Sequence, residues 1–234
     1  SAIYEQEVLL EDRIKIMGLL EIALRYAPKN PRVLTAVADQ VLATLNEEEP
    51  QLNALRKTLV RGSSPGIAHF IRGTAYLMRD DFEKAERFLQ MASRELPRSG
   101  AILNNLAVVL TLKGEQFLEE ALVISQSAIE QTPRPTPHFF ETRGQILYRM
   151  GRYVDAIPDL EKALRLKSLA PKAHESLAVS YERIGDPEMA KEHRDAIAAL
   201  NEKVKEEKLD LFNEGKRRKV AAADSAEGPS EESE

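Results

Sequence analysis

The chain has 234 residues and a formal net charge of −5, and 43% of its residues are hydrophobic while 30% are charged. These values are typical of a folded chain and argue against a general nucleic-acid binder, because such proteins neutralise phosphates with a basic surface. The absence of cysteine excludes disulfides, thiolate metal sites and cysteine nucleophiles.

Small residues recur along the sequence at intervals close to 34 residues. Four of them are separated by 34, 37 and 34 positions: Gly73, Ala107, Gly144 and Ala178. Each is followed twelve to fourteen residues later by an alanine: Ala85, Ala121, Ala156 and Ala190. A fixed period of this length predicts a stacked array of similar units instead of a single globular core.

Residues 1–30 are predicted to form a partial repeat or an N-terminal cap. Ile16 and Leu20 have the spacing of a second helix, so the matching first helix would have to be a short one at 3–10. Capping helices usually carry a polar outer face, and residues 8–10 do not. We therefore favour an array that continues upstream over a shortened cap.

Residues 31–65 are predicted to form a degenerate unit, with a polar turn at 47–50 between its two helices. The apolar positions that would face the core are Val37, Ala38 and Val41 in the first helix and Leu52, Leu55 and Leu59 in the second. Their three- and four-residue spacing marks one buried face on each helix.

Residues 66–99 form the clearest unit, with a first helix around Gly73, a polar turn at 79–81 and a second helix around Ala85. Pro97 closes this second helix, since proline lacks the N–H that a helix needs. The next three units are predicted at 100–136, with an insertion, at 137–170 and at 171–204.

Two local features belong to these later units. The insertion adds residues at 116–118, in the turn between the two helices of its unit, where solenoids accept extra residues. Gly151 stands where a helix end needs a left-handed cap.

The C-terminal part has a different composition. A long helix rich in Lys and Glu begins near Glu188, and residues 205–214 are predicted to be the end of this C-terminal capping helix. Residues 215–234 are predicted to be a disordered tail, because small and charged residues dominate there without apolar periodicity. The basic run at 216–219 fits a solvated tail better than a localisation signal or an anion-binding patch.

The repeating pattern resembles the tetratricopeptide repeat (TPR), with its small residue and tyrosine in the first helix and its alanines, bulky residue and proline in the second. In the unit at 66–99 these residues are Gly73, Tyr76, Ala85, Leu89, Ala92 and Pro97. Arg143 departs from the pattern, since leucine is usual at its position. The resemblance implies an all-α, right-handed superhelical solenoid of antiparallel helix pairs.

In TPR arrays the first helices line a concave face, so the resemblance also implies a ligand groove. Carried over by position, the groove residues are Phe70, Ile71, Thr74, Leu77, Met78, Asn104, Asn105, Val108, Thr111, Gln145, Tyr148 and Arg149. The same positions add Leu112, His138, Glu141, Thr142, Lys172, Glu175, Ser176, Val179, Glu182 and Arg183. An apolar patch beside two asparagines suits an extended or helical peptide. The alternative is that a neighbouring unit or a dimer partner covers some of these residues.

One subclass of TPR domain grips the acidic tails of heat-shock chaperones with a clamp of Lys, Asn and Arg. Asn105 matches this clamp. Phe70, Thr74, His138 and Thr142 stand where the other clamp residues are needed, so we exclude that ligand.

The sequence carries no nucleotide-binding, nucleophile-elbow or zinc-protease motif, so no catalytic residue, metal ligand or cofactor is predicted. His69 and His174 are assigned to packing, and His138 and His193 have no partner at metal-ligand spacing. The predicted function is a protein-interaction scaffold that binds a protein or peptide partner. The alternative is a non-catalytic regulatory or substrate-recruiting arm of a larger enzyme.

Other partners and the compartment are less defined by the sequence. RNA binding by related helical repeats is disfavoured by the acidic charge, so no nucleic-acid partner is expected, whereas a homodimer is compatible with the sequence. No apolar run approaches the ~20 residues that span a bilayer, and none resembles a signal peptide. A soluble, cytoplasmic protein is favoured, although no motif identifies the compartment.

Overall fold

The computed structural model describes residues 2–28, 30–45 and 47–205, without the side chains of 2–9, 31 and 35. Its helices are α1 Ala2–Tyr26, α2 Pro31–Ala43, α3 Pro50–Gly62, α4 Pro65–Leu77, α5 Phe82–Glu95, α6 Gly100–Lys113, α7 Leu118–Glu130, α8 Pro137–Arg149, α9 Tyr153–Ala163 and α10 Ala170–Arg183. Residues 187–205, called α11, are helical up to the last residue described, and no strand occurs within the described ranges. The predictions for 206–234, which cover most of the capping-helix end and the whole tail, lie outside the described residues.

Helices α4 to α10 form a stack of antiparallel pairs. Helix α4 packs on α5, α6 on α7 and α8 on α9, and each second helix also packs on the first helix of the next pair. Buried side chains form a continuous core from α1 to α8, and a further cluster is centred on Leu160 and Leu177. A pair therefore buries its apolar faces against its neighbours, as the units of a repeat array do.

Prolines define where several of these helices begin. Proline occupies the first or second helical position of α2, α3, α4, α8 and α10. The missing N–H costs nothing there, because the first turn of a helix has no internal partner for it, and the fixed φ favours the helix.

The recurring small residues lie where the two helices of a pair approach most closely. A Cβ added to Gly73 would lie 2.7 Å from Cγ of Leu89, and one added to Gly144 would lie 2.9 Å from Cγ of Leu160. Ala156, in the second helix, is fully buried. Small residues therefore recur about every 34 positions because the two helices of each pair pack closely at these positions.

The turns between paired helices repeat as well. Asp80, Gly151 and Gly185 follow α4, α8 and α10 with φ of 56°, 74° and 85°. In each turn the next residue donates its backbone N–H to a carbonyl five positions back, as Asp81 does to Tyr76. This is the Schellman cap, and it confirms the left-handed cap predicted at Gly151. In the unit with the insertion, the turn is filled by a 3₁₀ helix, Glu115–Phe117.

The N-terminal helices do not follow the paired pattern. Residues 2–26 form one continuous helix, so the separate short helix expected at 3–10 was wrong. This stretch contains no proline, and its one glycine, Gly18, does not end the helix, so nothing in it forces a turn. Helix α3 packs chiefly on α1, while α2 lies against α1 and α4.

None of the helices within the described ranges is both long enough and apolar enough to cross a bilayer.

Candidate functional site

The first helices of successive pairs form one side of the stack. Helices α4, α6, α8 and α10 each contact the next of the series, whereas no comparable packing joins α5, α7 and α9 within the described residues. The first helices therefore lie closer together than the second helices and form the inner face of the solenoid.

Part of the predicted groove belongs to the packing between units. The side chains of Phe70, Ile71, Asn104, Thr111 and Gln145 are at most 9% exposed. They are covered because first helices of neighbouring units meet on this face. The position of a residue in the repeat predicts which face it lies on, but not whether the neighbouring unit covers it. Their burial means that these five side chains are not open to a ligand on the inner face in this conformation.

Side-chain hydrogen bonds join the inner helices at two equivalent places. Nδ2 of Asn105 donates to Oγ1 of Thr74 over 3.0 Å, and Nε2 of Gln145 donates to Oγ of Ser176 over the same distance. Each bond links residues 31 positions apart, on adjacent first helices. The first bond uses one of two N–H donors of the Asn105 amide, which also carries an acceptor oxygen.

The predicted groove residues that stay accessible form a graded surface. Met78 is 55% exposed and Leu112, which is the same position in the next unit, is 49% exposed. Leu77, Thr74, Asn105, Val108 and Tyr148 are half-buried, and Arg149 is exposed. Towards the last units, Lys172 forms an ion pair with Glu141 at 2.8 Å. The surface thus passes from apolar to charged along the array.

Arg143, which replaces the usual leucine, has a buried partner. Its Nε and Nη2 donate to the two carboxylate oxygens of Asp159 over 2.5 and 2.9 Å, and Asp159 is only 2% exposed. Its Nη1 also donates to the side chain of Gln126. This bidentate ion pair satisfies the hydrogen-bonding groups of both charged side chains. The buried carboxylate therefore offsets the cost of having arginine where the repeat usually has leucine.

The structure pairs two histidines that the sequence left apart. Nδ1 of His174 lies 2.8 Å from Nδ1 of His193, between α10 and α11, a hydrogen-bond contact that the search for metal-ligand spacing did not address. Burial lowers the pKa of both rings. Since one Nδ1 must accept the proton of the other, at least one ring is neutral.

Tyr181 and its neighbours complete this contact. The Tyr181 ring stacks on His193 at a centroid distance of 5.4 Å, and its hydroxyl donates to Glu161 over 2.9 Å. Burial and this carboxylate raise the pKa of Tyr181 to about 12. Within the described residues no group of three or more His, Cys, Asp or Glu side chains is placed to hold a metal ion.

Comparison with known proteins identifies the repeat. Residues 142–202 match the family model described as tetratricopeptide repeat. The chain has the TPR fold. The predicted resemblance and the all-α solenoid are therefore confirmed. No curated protein has a matching sequence.

Solved TPR structures align over most of the chain. MamA MSR-1 is 18% identical, with a TM-score of 0.53 over 73% of this chain and 98% of MamA. YrrB, described as a TPR protein with an unusual peptide-binding site, is 18% identical, with a TM-score of 0.51 over 77% of this chain and 91% of its own. The Cut9–Hcn1 hetero-tetramer of APC/C is 16% identical, with a TM-score of 0.61 over 82% of this chain and 38% of the matched chain. At these identities the likeness shows the fold alone.

Proposed function

We propose that this chain is a protein-interaction scaffold that binds a peptide or protein segment along the inner face of α4, α6 and α8. The observation that carries the proposal is the exposure of Met78 and Leu112 at equivalent positions of adjacent units. Exposed apolar side chains in a row are typical of binding surfaces, because burying them against a partner removes apolar area from water.

The neighbouring residues supply the other contacts that a bound segment needs. Half-buried Leu77 and Val108 extend the apolar surface, and Asn105 has a donor and an acceptor for the backbone of an extended peptide. Methionine adapts its unbranched side chain to different partners. The exposed Arg149 would favour an acidic residue at one end of the segment.

We also propose that the role of this chain is binding without catalysis. The sequence has no catalytic motif, and the buried polar clusters at Arg143–Asp159 and His174–His193 are internally paired between helices. The TPR fold and the peptide-binding site named for YrrB support an interaction role.

A peptide-selection experiment tests the inner face. Peptides selected from a displayed library on the full chain are measured for affinity to a Met78→Ser/Leu112→Ser variant. We expect at least about a tenfold loss, because two apolar contacts of the bound peptide are removed.

The matched control is a Val123→Ser/Val154→Ser variant. These valines are 66% and 68% exposed and lie on the second helices α7 and α9, so the same chemistry is changed outside the inner face. Retained affinity in the control and lost affinity in the inner-face variant support the proposal. Equal affinity of all three proteins, or loss in the control alone, places binding elsewhere and contradicts it.

A further inference from the structure

A second candidate surface lies between α3 and α4. It is an open cleft of about 490 Å³, and its lining also includes Val41 and Leu45 near the end of α2. Val60 and Ile71 give it an apolar floor, and Asn53 contributes an amide. The volume is within the range of about 300–1,000 Å³ that is typical of ligand pockets.

The charge of this cleft is opposite to that of the whole chain. Its lining includes Arg56, Lys57 and Arg61 from α3, Arg72 from α4 and Arg79 from the turn after α4, and it includes no Asp or Glu. None of these five cations forms an ion pair with a carboxylate of the described residues. The net charge of the chain is −5, so unpaired basic side chains gathered in one cleft are not a consequence of composition.

The environment of Arg56 favours a nearby anion. Its Nη2 donates to the backbone carbonyl of Glu47 over 2.7 Å, while the carboxylate of Glu47 is paired with Arg13. Nη1 of Arg56 is buried and has no hydrogen-bond partner among the described residues. Burial also lowers the pKa of Arg56, because partial removal from water disfavours the charged guanidinium.

The departure of α1 to α3 from the paired pattern produces the cleft. Because α3 packs chiefly on α1, it makes little contact with α4, and the space between them stays open. The Arg72 guanidinium lies 5.9 Å from the ring centroid of Phe88 on the second helix α5. Neither Met78 nor Leu112 lines the cleft, so its lining differs from the exposed apolar pair of the inner face.

We propose that this cleft binds an acidic peptide segment of a partner protein, with glutamates or aspartates facing the five cations and an apolar side chain on the floor. Charge complementarity determines this choice of partner. A nucleic acid fits less well, because its evenly charged backbone needs a long basic track, whereas this cleft is short and its floor is apolar.

The test uses a short fluorescent peptide in which glutamates alternate with leucines, and fluorescence anisotropy with the full chain. Lys57→Glu/Arg61→Glu reverses two exposed charges of the cleft. We expect this variant to bind at least about tenfold more weakly than the wild type. Binding to the wild type should also weaken as salt is added, since exposed charges are screened over about 10 Å at 0.1 M.

The matched control is Arg165→Glu/Lys167→Glu, which makes the same charge change at two exposed positions outside the cleft. It should retain wild-type affinity, as should the Met78→Ser/Leu112→Ser variant. This second comparison separates failure of the cleft proposal from failure of the inner-face proposal. Equal weakening by the control, or equal binding of a peptide with glutamine in place of glutamate, would overturn the cleft proposal.

Two further measurements test whether the cleft binds something other than a partner protein. A single-stranded oligonucleotide that binds the cleft more tightly than the acidic peptide overturns the choice of a protein partner. The chain has its own acidic segment at 224–234. If Glu231→Gln/Glu232→Gln/Glu234→Gln raises the affinity for the probe several-fold, that segment is the occupant and the partner proposal is wrong.

Discussion

At the scale of single residues, the left-handed position of the repeated turns is glycine in two turns and aspartate in a third. Asp80 adopts a φ of 56° where Gly151 and Gly185 occupy the equivalent turns. A left-handed conformation is strained for a residue with a Cβ and unstrained for glycine, although aspartate tolerates it better than most residues.

We predict that Asp80→Gly raises the free energy of unfolding by up to about 1 kcal/mol, because the strain at this φ is removed. Gly151→Ala should lower it by about 1 kcal/mol for the opposite reason. A Cβ at Gly151 would meet no described atom within 4 Å, so backbone strain alone accounts for the loss. Urea unfolding of the two variants measures both changes, and changes of the same sign would contradict the explanation.

Phe70 was predicted to contact a ligand, but in the structure it is a packing residue. If Phe70 lay in an open groove, its replacement by alanine would hardly change the stability of the protein. Its side chain is only 9% exposed, however. We predict that Phe70→Ala lowers the free energy of unfolding by about 3 kcal/mol or more, since a large buried side chain leaves a cavity. Met78→Ala is the control, and it should change stability by less than about 0.5 kcal/mol. Equal effects of the two substitutions in urea unfolding would show that Phe70 is accessible.

At the scale of helices, the contact between α10 and α11 predicts a dependence of stability on pH. Burial lowers the pKa of His174 and His193 below the ordinary value of 6.5, so the unfolded chain binds protons at a pH where the folded chain does not. The free energy of unfolding should be at its full value above about pH 6.5 and should fall as the pH drops below it. Glu161 and Glu192 oppose this effect at His193 by favouring its charged form.

Urea unfolding of the wild type and of His193→Gln between about pH 5 and pH 8 tests this contact. The variant should lose less stability as the pH falls, because one titrating ring is removed and the other no longer faces it. Identical pH profiles for the two proteins would show that the pair does not control stability.

The helices also show which parts of the structure could be predicted. The helix pairs from α4 to α10 could be predicted from small residues such as Gly73 and Gly144, because helices that pack closely require small side chains at the contact. The continuity of α1 did not follow, since an apolar period alone does not show where a turn occurs. Consequently the cleft beside α3 could not be foreseen.

The binding surface was predictable only in part. The repeat pattern placed Met78 and Leu112 on first helices, and both are exposed. It did not show that Asn104 and Gln145 are covered by the next unit, because that depends on how closely two units stack. The contact of His174 with His193 was missed because the two histidines were assessed for metal-ligand spacing instead of for their places in adjacent helices.

At the scale of the whole molecule, the units should depend on one another for stability. We predict that Gly73→Leu disrupts the α4/α5 pair, because even a Cβ there would lie 3.0 Å from the backbone nitrogen of Leu89. Gly18→Leu is the control, since a Cβ at Gly18 would meet no described atom within 4 Å. Hydrogen exchange should show lost protection in α4 and α5 and in the helices that pack on them for the first variant alone. Unchanged protection in α6 would contradict this coupling of neighbouring units.

The stacking of neighbour on neighbour also determines how the molecule carries a mechanical load. Packing contacts join helices of the same or adjacent units, so a pull on the two ends of the array passes through the interfaces in series. We therefore expect the molecule to behave as a spring. It should lengthen by separating one unit at a time, beginning at the weakest interface, and shorten again as each unit packs back onto those that remained in place.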